Sequence, residues 1–152
     1  MKEVYFDVIM TIERLHRLFL DVIKAELDRM QIQDISHIQC FILYNIGENQ
    51  LTVGEVTNRG YYLGSNVTYN LKKMLENGYL VQEQSIHDKR SSHVRLSPKG
   101  LELFQNFDSI LEQHTRNMKH HSLNDQDLKT LKSSLQKLES FWNLTVTQEL
   151  RF

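Results

Sequence analysis

The sequence predicts a mainly α-helical protein with one small β element, an α+β fold class. Apolar residues recur at helical spacing over long stretches at both ends of the 152-residue chain. Between these stretches a polar-faced helix ends at Asn77-Gly78, two β-like runs follow around a charged tip, and a new helix opens at Ser97-Pro98. A helix followed by a two-stranded wing is the order of a winged helix-turn-helix. We therefore expect this module, flanked by long N- and C-terminal dimerisation helices.

The first two helices are placed by periodicity and by a capping signal. Apolar positions follow a helical period over about residues 4–30, which predicts the first helix. Ser36 and Gln39 have the spacing of a capping box, in which each residue satisfies a backbone N–H of the other. A second helix should therefore open at Ser36 and run to about Gly47.

The next two helices form the centre of the expected module. Thr52 and Glu55 repeat the capping-box spacing and open a short third helix that ends near Gly60. The fourth helix should start at one of residues 63–65 and end at Gly78, because Asn-Gly favours a left-handed helix cap.

The remaining elements are a hairpin and two helices. Residues 79–86 and 93–97 are typical of paired strands around a short polar turn. Ser97 can cap a fifth helix that has Pro98 in its first turn. A sixth helix should begin near Ser122 or Asn124 and carry a leucine-rich stripe.

Composition limits the class of protein. The single cysteine excludes an internal disulfide and suits a reducing compartment. Acidic residues interrupt the apolar N-terminal stretch, so we predict neither a signal peptide nor a membrane span and expect a cytoplasmic protein. The sequence has no phosphate-binding glycine loop, nucleophile elbow or cysteine-rich zinc spacing. We therefore expect no enzyme activity, no cofactor and no metal site.

Charge is unevenly distributed along the chain. The overall net charge of −1 hides values of −3 over residues 1–51, +3 over residues 52–100 and −1 over residues 101–152. The positive charge is concentrated in the segment that already resembles a DNA-reading module. This coincidence indicates double-stranded DNA as a partner.

The fourth helix has the residue types that DNA reading needs. A helix in the major groove requires short polar side chains near its N-terminus for base edges and cationic ones for phosphates. Asn66 or Asn70 could pair with an adenine edge. The candidate DNA contacts on this helix are Ser65, Asn66, Thr68, Tyr69, Asn70, Lys72 and Lys73. Its buried side should consist of Val67, Leu71, Met74 and Leu75.

The tip between the two strands supplies a second set of candidates. Lys89 and Arg90 are placed to contact phosphates or the minor groove, with Ser91 beside them. Arg95, on the returning strand, could instead join a structural ion pair. Polar hairpin tips are usually solvated turns, but the adjacent helix favours a DNA-contacting wing.

These residues resemble the MarR family of bacterial transcription regulators. The clearest match is the segment 88–100, DKRSSHVRLSPKG, which is similar to the family's wing pattern. Residues 66–68 and 74–80 resemble the recognition helix and its exit. Ser97 stands where the family usually has threonine, which keeps a capping hydroxyl. The turn at residues 60–64 and the helix after it resemble a narrower subgroup, the LdtR-type regulators linked to L,D-transpeptidase genes.

The resemblance implies a ligand-responsive homodimer that binds a pseudo-palindromic operator, with cell-wall remodelling or stress genes as possible targets. It also implies that Asp88 supports the wing by holding Arg90 or nearby backbone. Many relatives bind small aromatic molecules in a cleft between the dimer helices and the DNA-reading lobe. In this chain such an effector cleft could be lined by Phe19, Cys40, Tyr44 and Phe104. Cys40 itself is expected to be a buried structural thiol.

The predicted organisation is one compact domain with two regions. Residues 1–34 and 101–152 form the helical dimerisation region, and residues 35–100 form the winged helix-turn-helix. The alternative function is a winged-helix module that docks a protein partner without specific DNA binding. Strong salt dependence of DNA binding would argue against that alternative.

Overall fold

The computed structural model describes residues 1–60, 64–84 and 92–147, with the backbone alone at residues 64 and 65. The predicted mainly helical α+β class is confirmed. The elements in chain order are α1 (Lys2–Arg29), α2 (His37–Ile46), β1 (Leu51–Thr52), α3 (Val53–Gly60), α4 (Gly64–Glu76), β2 (Leu80–Gln84), β3 (Ser92–Leu96), α5 (Pro98–Met118) and α6 (Asp125–Val146). A short 3-10 turn, Lys119–His121, follows α5. The chain divides into two compact units, Met1–Asp108 and Ser109–Phe152.

Helix α2 lies at the centre of the first unit. Half of its ten residues are buried, and they include Cys40, Leu43 and Ile46. The predicted capping box is present, because the Ser36 hydroxyl accepts from the Gln39 N–H and the Gln39 side chain accepts from the Ser36 N–H. The helix ends at Gly47, whose φ of +57° is a conformation that favours glycine.

The sheet has one strand more than the sequence predicted. Its order is β1-β3-β2, and both pairings are antiparallel. The added strand β1 pairs Leu51 with Val94 and Thr52 with His93. Thr52 also starts α3, since its hydroxyl accepts from the Glu55 N–H at 3.1 Å. Thr52, which the sequence predicts only as a helix cap, therefore also connects α3 to strand β3 of the wing.

Helix α4 presents one apolar side to the core of the first unit. Val67, Leu71 and Met74 are buried as predicted, and Leu75 is half-buried. Further core side chains come from α1, α2, α3, the sheet and α5, among them Ile23, Ile42, Val56, Val94 and Phe107. The apolar contacts fix which side of α4 faces outward.

The second unit contains the end of α5 and all of α6. Asn124 caps α6 through a capping box with Asp127, at one of the two predicted starts. No residue of α6 is buried. None of the helices in the described ranges is long and apolar enough to cross a membrane.

Candidate nucleic-acid interface

The outward side of α4 carries most of the predicted DNA-reading residues. Asn66, Thr68, Tyr69 and Lys72 are exposed there, and 61% of Tyr69 is accessible. Because other residues of α4 already bury its apolar side, so exposed a tyrosine is available to contact a partner. The side chain of Ser65 lies outside the described part of the structure.

Lys73 is held one turn from the helix end. Its ammonium lies 3.4 Å from the Glu76 carboxylate, and both side chains are about half exposed. A surface pair of this kind is weak, so it would not prevent the ammonium from turning to a phosphate.

Asn70 is half-buried, and both the oxygen and the nitrogen of its side-chain amide form hydrogen bonds. Its Nδ2 donates to the Asn66 carbonyl at 2.8 Å, and its Oδ1 accepts from Gln39 Nε2 at 3.1 Å. These bonds tie the side chain to α2 and to its own helix. Among the two predicted adenine readers, the geometry therefore favours Asn66, whose exposed side chain is outside this network.

Side-chain contacts brace the two wing strands, β2 and β3, against each other. The Arg95 guanidinium donates twice to Glu83 Oε1, at 2.8 and 2.9 Å, across β2 and β3. Gln82 donates to the Ser92 hydroxyl at 2.9 Å on the same pair of strands. The ion pair expected for Arg95 is thus confirmed. The predicted tip residues Asp88, Lys89, Arg90 and Ser91 lie outside the described residues.

A polar cluster joins the loop before α2, the exit of α4 and the start of α5. Asp34 accepts from the Tyr79 hydroxyl at 2.5 Å and from Lys99 Nζ at 2.6 Å. Lys99 also donates to the Asn77 carbonyl at 2.9 Å and lies 4.3 Å from the centre of the Tyr79 ring. Lys99 and then Tyr79 hold the pKa of the Asp34 carboxyl below its usual value.

This polar cluster was not predicted from the sequence. Asp34 and Lys99 are 65 positions apart, and neither stands in a local pattern. The nearby cap was found: the Ser97 hydroxyl accepts from the Gly100 N–H at 3.1 Å and donates to the Gly78 carbonyl at 2.5 Å. Local signals thus predicted the helix start, and long-range packing supplied the ion pair.

A cavity of about 460 Å³ lies between α1, α2 and α4. Its lining is mainly apolar, with a histidine, a tyrosine and two asparagines. The lining residues are His16, Leu20, Ile38, Phe41, Ile42, Gly60, Asn66, Val67, Tyr69 and Asn70. Two of the polar groups belong to the outward side of α4, so the cavity and the candidate DNA surface share residues.

Of the four residues predicted to line an effector cleft, Cys40 is buried and Phe19, Tyr44 and Phe104 are half-buried. Tyr44 stacks on Phe104 with ring centres 5.1 Å apart, and Phe19 meets Phe41 edge-on at 5.7 Å. Cys40 has no accessible surface, and burial raises the pKa of its thiol to about 12. None of the four is among the residues that line the cavity between α1, α2 and α4.

Within residues 1–60, 64–84 and 92–147, no group of three or more His, Cys, Asp or Glu side chains could hold a metal ion. The surface features that stand out are instead the polar side of α4 and the wing strands beside it.

Comparison with known proteins places the chain in a family. The model of the MarR family matches residues 33–91. The exopolysaccharide II synthesis transcriptional activator ExpG of Rhizobium meliloti is 36% identical over 138 residues, which are 91% of this chain and 71% of that protein.

Solved structures show the same fold. Streptococcus pneumoniae FabT in complex with DNA aligns with a TM-score of 0.66 at 20% identity, over 88% of this chain and 96% of that one. Staphylococcus aureus MarR in complex with salicylate and kanamycin aligns with a TM-score of 0.69 at 20% identity, over 98% and 94%. Likeness at this identity establishes the winged-helix architecture.

Proposed function

Because this chain belongs to the MarR family, whose members are DNA-binding transcription regulators and not enzymes, we propose that it binds a pseudo-palindromic operator as a homodimer. The observation that carries this proposal is the exposed polar side of α4, presented beside a braced wing. Two symmetric copies of α4 would enter successive major grooves about 34 Å apart. Family membership also argues against the alternative of a protein-docking module.

Helix α1 supports the homodimer. Exposed residues on it follow one another in alternating steps of four and three, the spacing of a coiled-coil seam. They are Val4, Val8, Thr11, Leu15, Leu18 and Val22. Leu15 and Leu18 are more than half exposed, and this stripe is distinct from the side that buries Ile23 and Leu27. A second copy of the chain would cover it.

Helix α6 gives independent support. It is 22 residues long, has no buried residue, and repeats the alternating steps of three and four in its apolar positions. Those positions are Leu128, Leu131, Leu135, Leu138 and Trp142. A long helix of this composition needs a packing partner to bury its apolar stripe. We propose that the second protomer is this packing partner, in line with the dimerisation region predicted at residues 1–34 and 101–152.

We assign base reading to Asn66, Thr68 and Tyr69, and phosphate contact to Lys72 and Lys73. Ser65 and Asn70 stay in the DNA-binding set, the second mainly as a support for α4. At the wing, Lys89, Arg90 and Ser91 would contact the backbone or minor groove, with Asp88 holding the tip.

The cavity between α1, α2 and α4 is the better candidate for an effector site. Its apolar walls and convergent polar groups suit a small aromatic molecule. The salicylate complex of Staphylococcus aureus MarR supports this ligand class. Phe19 packs edge-on against Phe41, one of the lining residues, so it would shape one wall of the cavity. A titration of operator binding with salicylate tests the idea, and unchanged affinity for DNA at saturation would remove this ligand.

The regulated genes are proposed to act at the cell envelope. The relative ExpG is named for exopolysaccharide synthesis, and residues 60–73 resemble regulators of L,D-transpeptidase genes. Both concern polymers outside the membrane. Transcript levels in a deletion strain, compared with a complemented strain, would test this. No change in envelope genes would redirect the proposal towards stress genes.

The decisive experiment is selection of bound duplexes from a random DNA library with purified protein. We expect an enriched inverted repeat with half-sites about one helical turn apart. Enrichment of a single half-site would contradict the homodimer, and no enrichment at any salt concentration would contradict specific DNA binding.

A further inference from the structure

Gln39 connects the start of α2 to the first turn of α4. It is a buried polar residue, only 8% exposed. Its Oε1 accepts from the Ser36 N–H at 3.1 Å, and its Nε2 donates to Asn70 Oδ1 at 3.1 Å. Asn70 Nδ2 then donates to the Asn66 carbonyl at 2.8 Å. Three consecutive hydrogen bonds therefore run from the cap of one helix to the backbone of the other.

This network fixes the rotation and the axial position of α4, which apolar packing alone determines only loosely. Burial of Val67, Leu71 and Met74 holds α4 against the core, but the hydrophobic effect has no direction. A small rotation or slide of α4 would keep much of that burial. Hydrogen bonds between amides depend strongly on angle and distance, and a partly buried one has little competition from water.

We propose that Gln39 is a positioning residue for DNA recognition. Through Asn70 it sets the rotation of the first turn of α4, and so the direction in which Asn66 and Tyr69 face the bases. The inference rests on the proposed role of α4 in reading DNA. Gln39 itself is buried and would not touch DNA. Its effect should therefore appear in the preference for the operator over other sequences, more than in general affinity for DNA.

Four proteins test the proposal: wild type, Gln39→Met, Ser36→Ala and Asn66→Ala. Gln39→Met keeps the length of the side chain and removes both amide groups without adding charge. Ser36→Ala removes the capping hydroxyl and leaves the bond from Gln39 to Asn70 intact. Asn66→Ala removes a proposed base contact and keeps the carbonyl that Asn70 uses.

The measurement is the ratio of the Kd for a non-operator duplex to the Kd for the operator duplex selected with the wild-type protein. We expect this ratio to fall about tenfold in Gln39→Met and in Asn66→Ala, a loss comparable to one good base contact. We expect it to stay within about twofold of wild type in Ser36→Ala, even though that change lowers the thermal midpoint.

The outcomes separate the two ideas. If Asn66→Ala lowers the ratio and Gln39→Met does not, the positioning role is overturned and base reading by α4 stands. An unchanged ratio in Asn66→Ala would instead count against base reading itself. An equal fall in Ser36→Ala would mean that any loosening of α2 suffices, which also overturns the specific role of Gln39.

Should Gln39→Met fail to fold, Gln39→Glu takes its place. A glutamate keeps the acceptor for the Ser36 N–H, because it is the usual partner in a capping box. It has no donor for Asn70 Oδ1. If the Asn70 amide turns to donate Nδ2 to the carboxylate, its bond to the Asn66 carbonyl is lost instead, so the continuous link from α2 to Asn66 is broken in either orientation. The same fall in the ratio is expected, and a wild-type ratio in this variant overturns the proposal.

Discussion

At the scale of single residues, Cys40 is a thiol that should stay protonated in the folded protein. Burial raises its pKa to about 12, whereas a thiol in an unfolded chain ionises near pH 8.5, roughly. The folded state thus keeps a proton that the unfolded state loses. Its contribution to stability is complete below about pH 8.5 and falls as the pH rises towards 12.

We therefore expect the free energy of unfolding to decrease between pH 8 and pH 11, roughly, as followed by urea denaturation. The pKa values of Tyr44 and Tyr79 are also raised by burial and by their carboxylate partners, so they add to the decrease at the alkaline end. Cys40→Ala should show a shallower slope than wild type. Equal slopes in the two proteins would contradict the burial of an ionisable thiol.

Arg90 carries a prediction that rests on the sequence of the wing. Arg90→Ala should weaken binding to all duplexes by a similar factor and reduce the slope of log Kd against log salt by about 1. Titration of labelled duplexes at several salt concentrations measures both. Arg29→Ala, which removes the same charge from an exposed arginine that pairs with the largely buried Glu26, is the control. An Arg90→Ala protein that binds like wild type would show that the wing assignment is wrong.

At the scale of elements, Gly100 controls how closely α5 can approach Tyr79, the residue just before β2. A Cβ added there would lie 2.2 Å from the Tyr79 carbonyl oxygen, and that oxygen already accepts from the Ser97 N–H at 3.0 Å. Gly100→Ala must therefore displace backbone and should destabilise the protein by about 3 kcal/mol. Urea midpoints measure the change.

Gly54 provides the matched control. It lies on α3, and the nearest atom to an added Cβ is the Thr52 hydroxyl oxygen at 3.9 Å. Gly54→Ala should be neutral or stabilising by up to about 1 kcal/mol, because alanine favours a helix. If both variants lose the same stability, the close approach at Gly100 is not the cause.

The elements that could be predicted from the sequence are those with local signals. The capping pairs Ser36–Gln39 and Thr52–Glu55 lie three residues apart, so their spacing is visible in the chain. Strand β1 has only two residues, too few to show an alternating pattern, and it is defined by its pairing with β3. It therefore could not be predicted from the sequence.

The candidate site divides in the same way. The polar side of α4 follows from helical periodicity, so Asn66, Thr68 and Tyr69 could be predicted as exposed. The hydrogen bond between Asn70 and Gln39 joins residues 31 positions apart, so it could not be predicted from local sequence. From residue type alone, Asn66 and Asn70 were equally good candidates to contact an adenine. The cavity arises where three helices meet, and only the packing of those helices defines it.

At the scale of the whole molecule, the exposed stripe on α1 predicts a homodimer that depends on apolar contact. Leu18 is 57% exposed within that stripe. Leu18→Glu would place a charge in the seam, so we expect dissociation to monomers in sedimentation experiments and loss of operator binding. Lys24→Glu adds the same side chain on the opposite side of the helix and should stay dimeric. Monomeric wild-type protein at micromolar concentration would contradict the assignment.

The cavity between α1, α2 and α4 is lined by Asn66 and Asn70 of α4, the proposed DNA-reading helix, and thermodynamic linkage makes coupling between two sites reciprocal. An effector that weakens operator binding by a given factor must itself bind more weakly, by the same factor, to protein that occupies the operator. Free regulator in the cell would then fill with effector at lower concentrations than regulator on its promoter. The effector concentration that removes the regulator from its promoter would exceed the concentration that saturates free regulator, so an occupied promoter would resist small fluctuations of the signal.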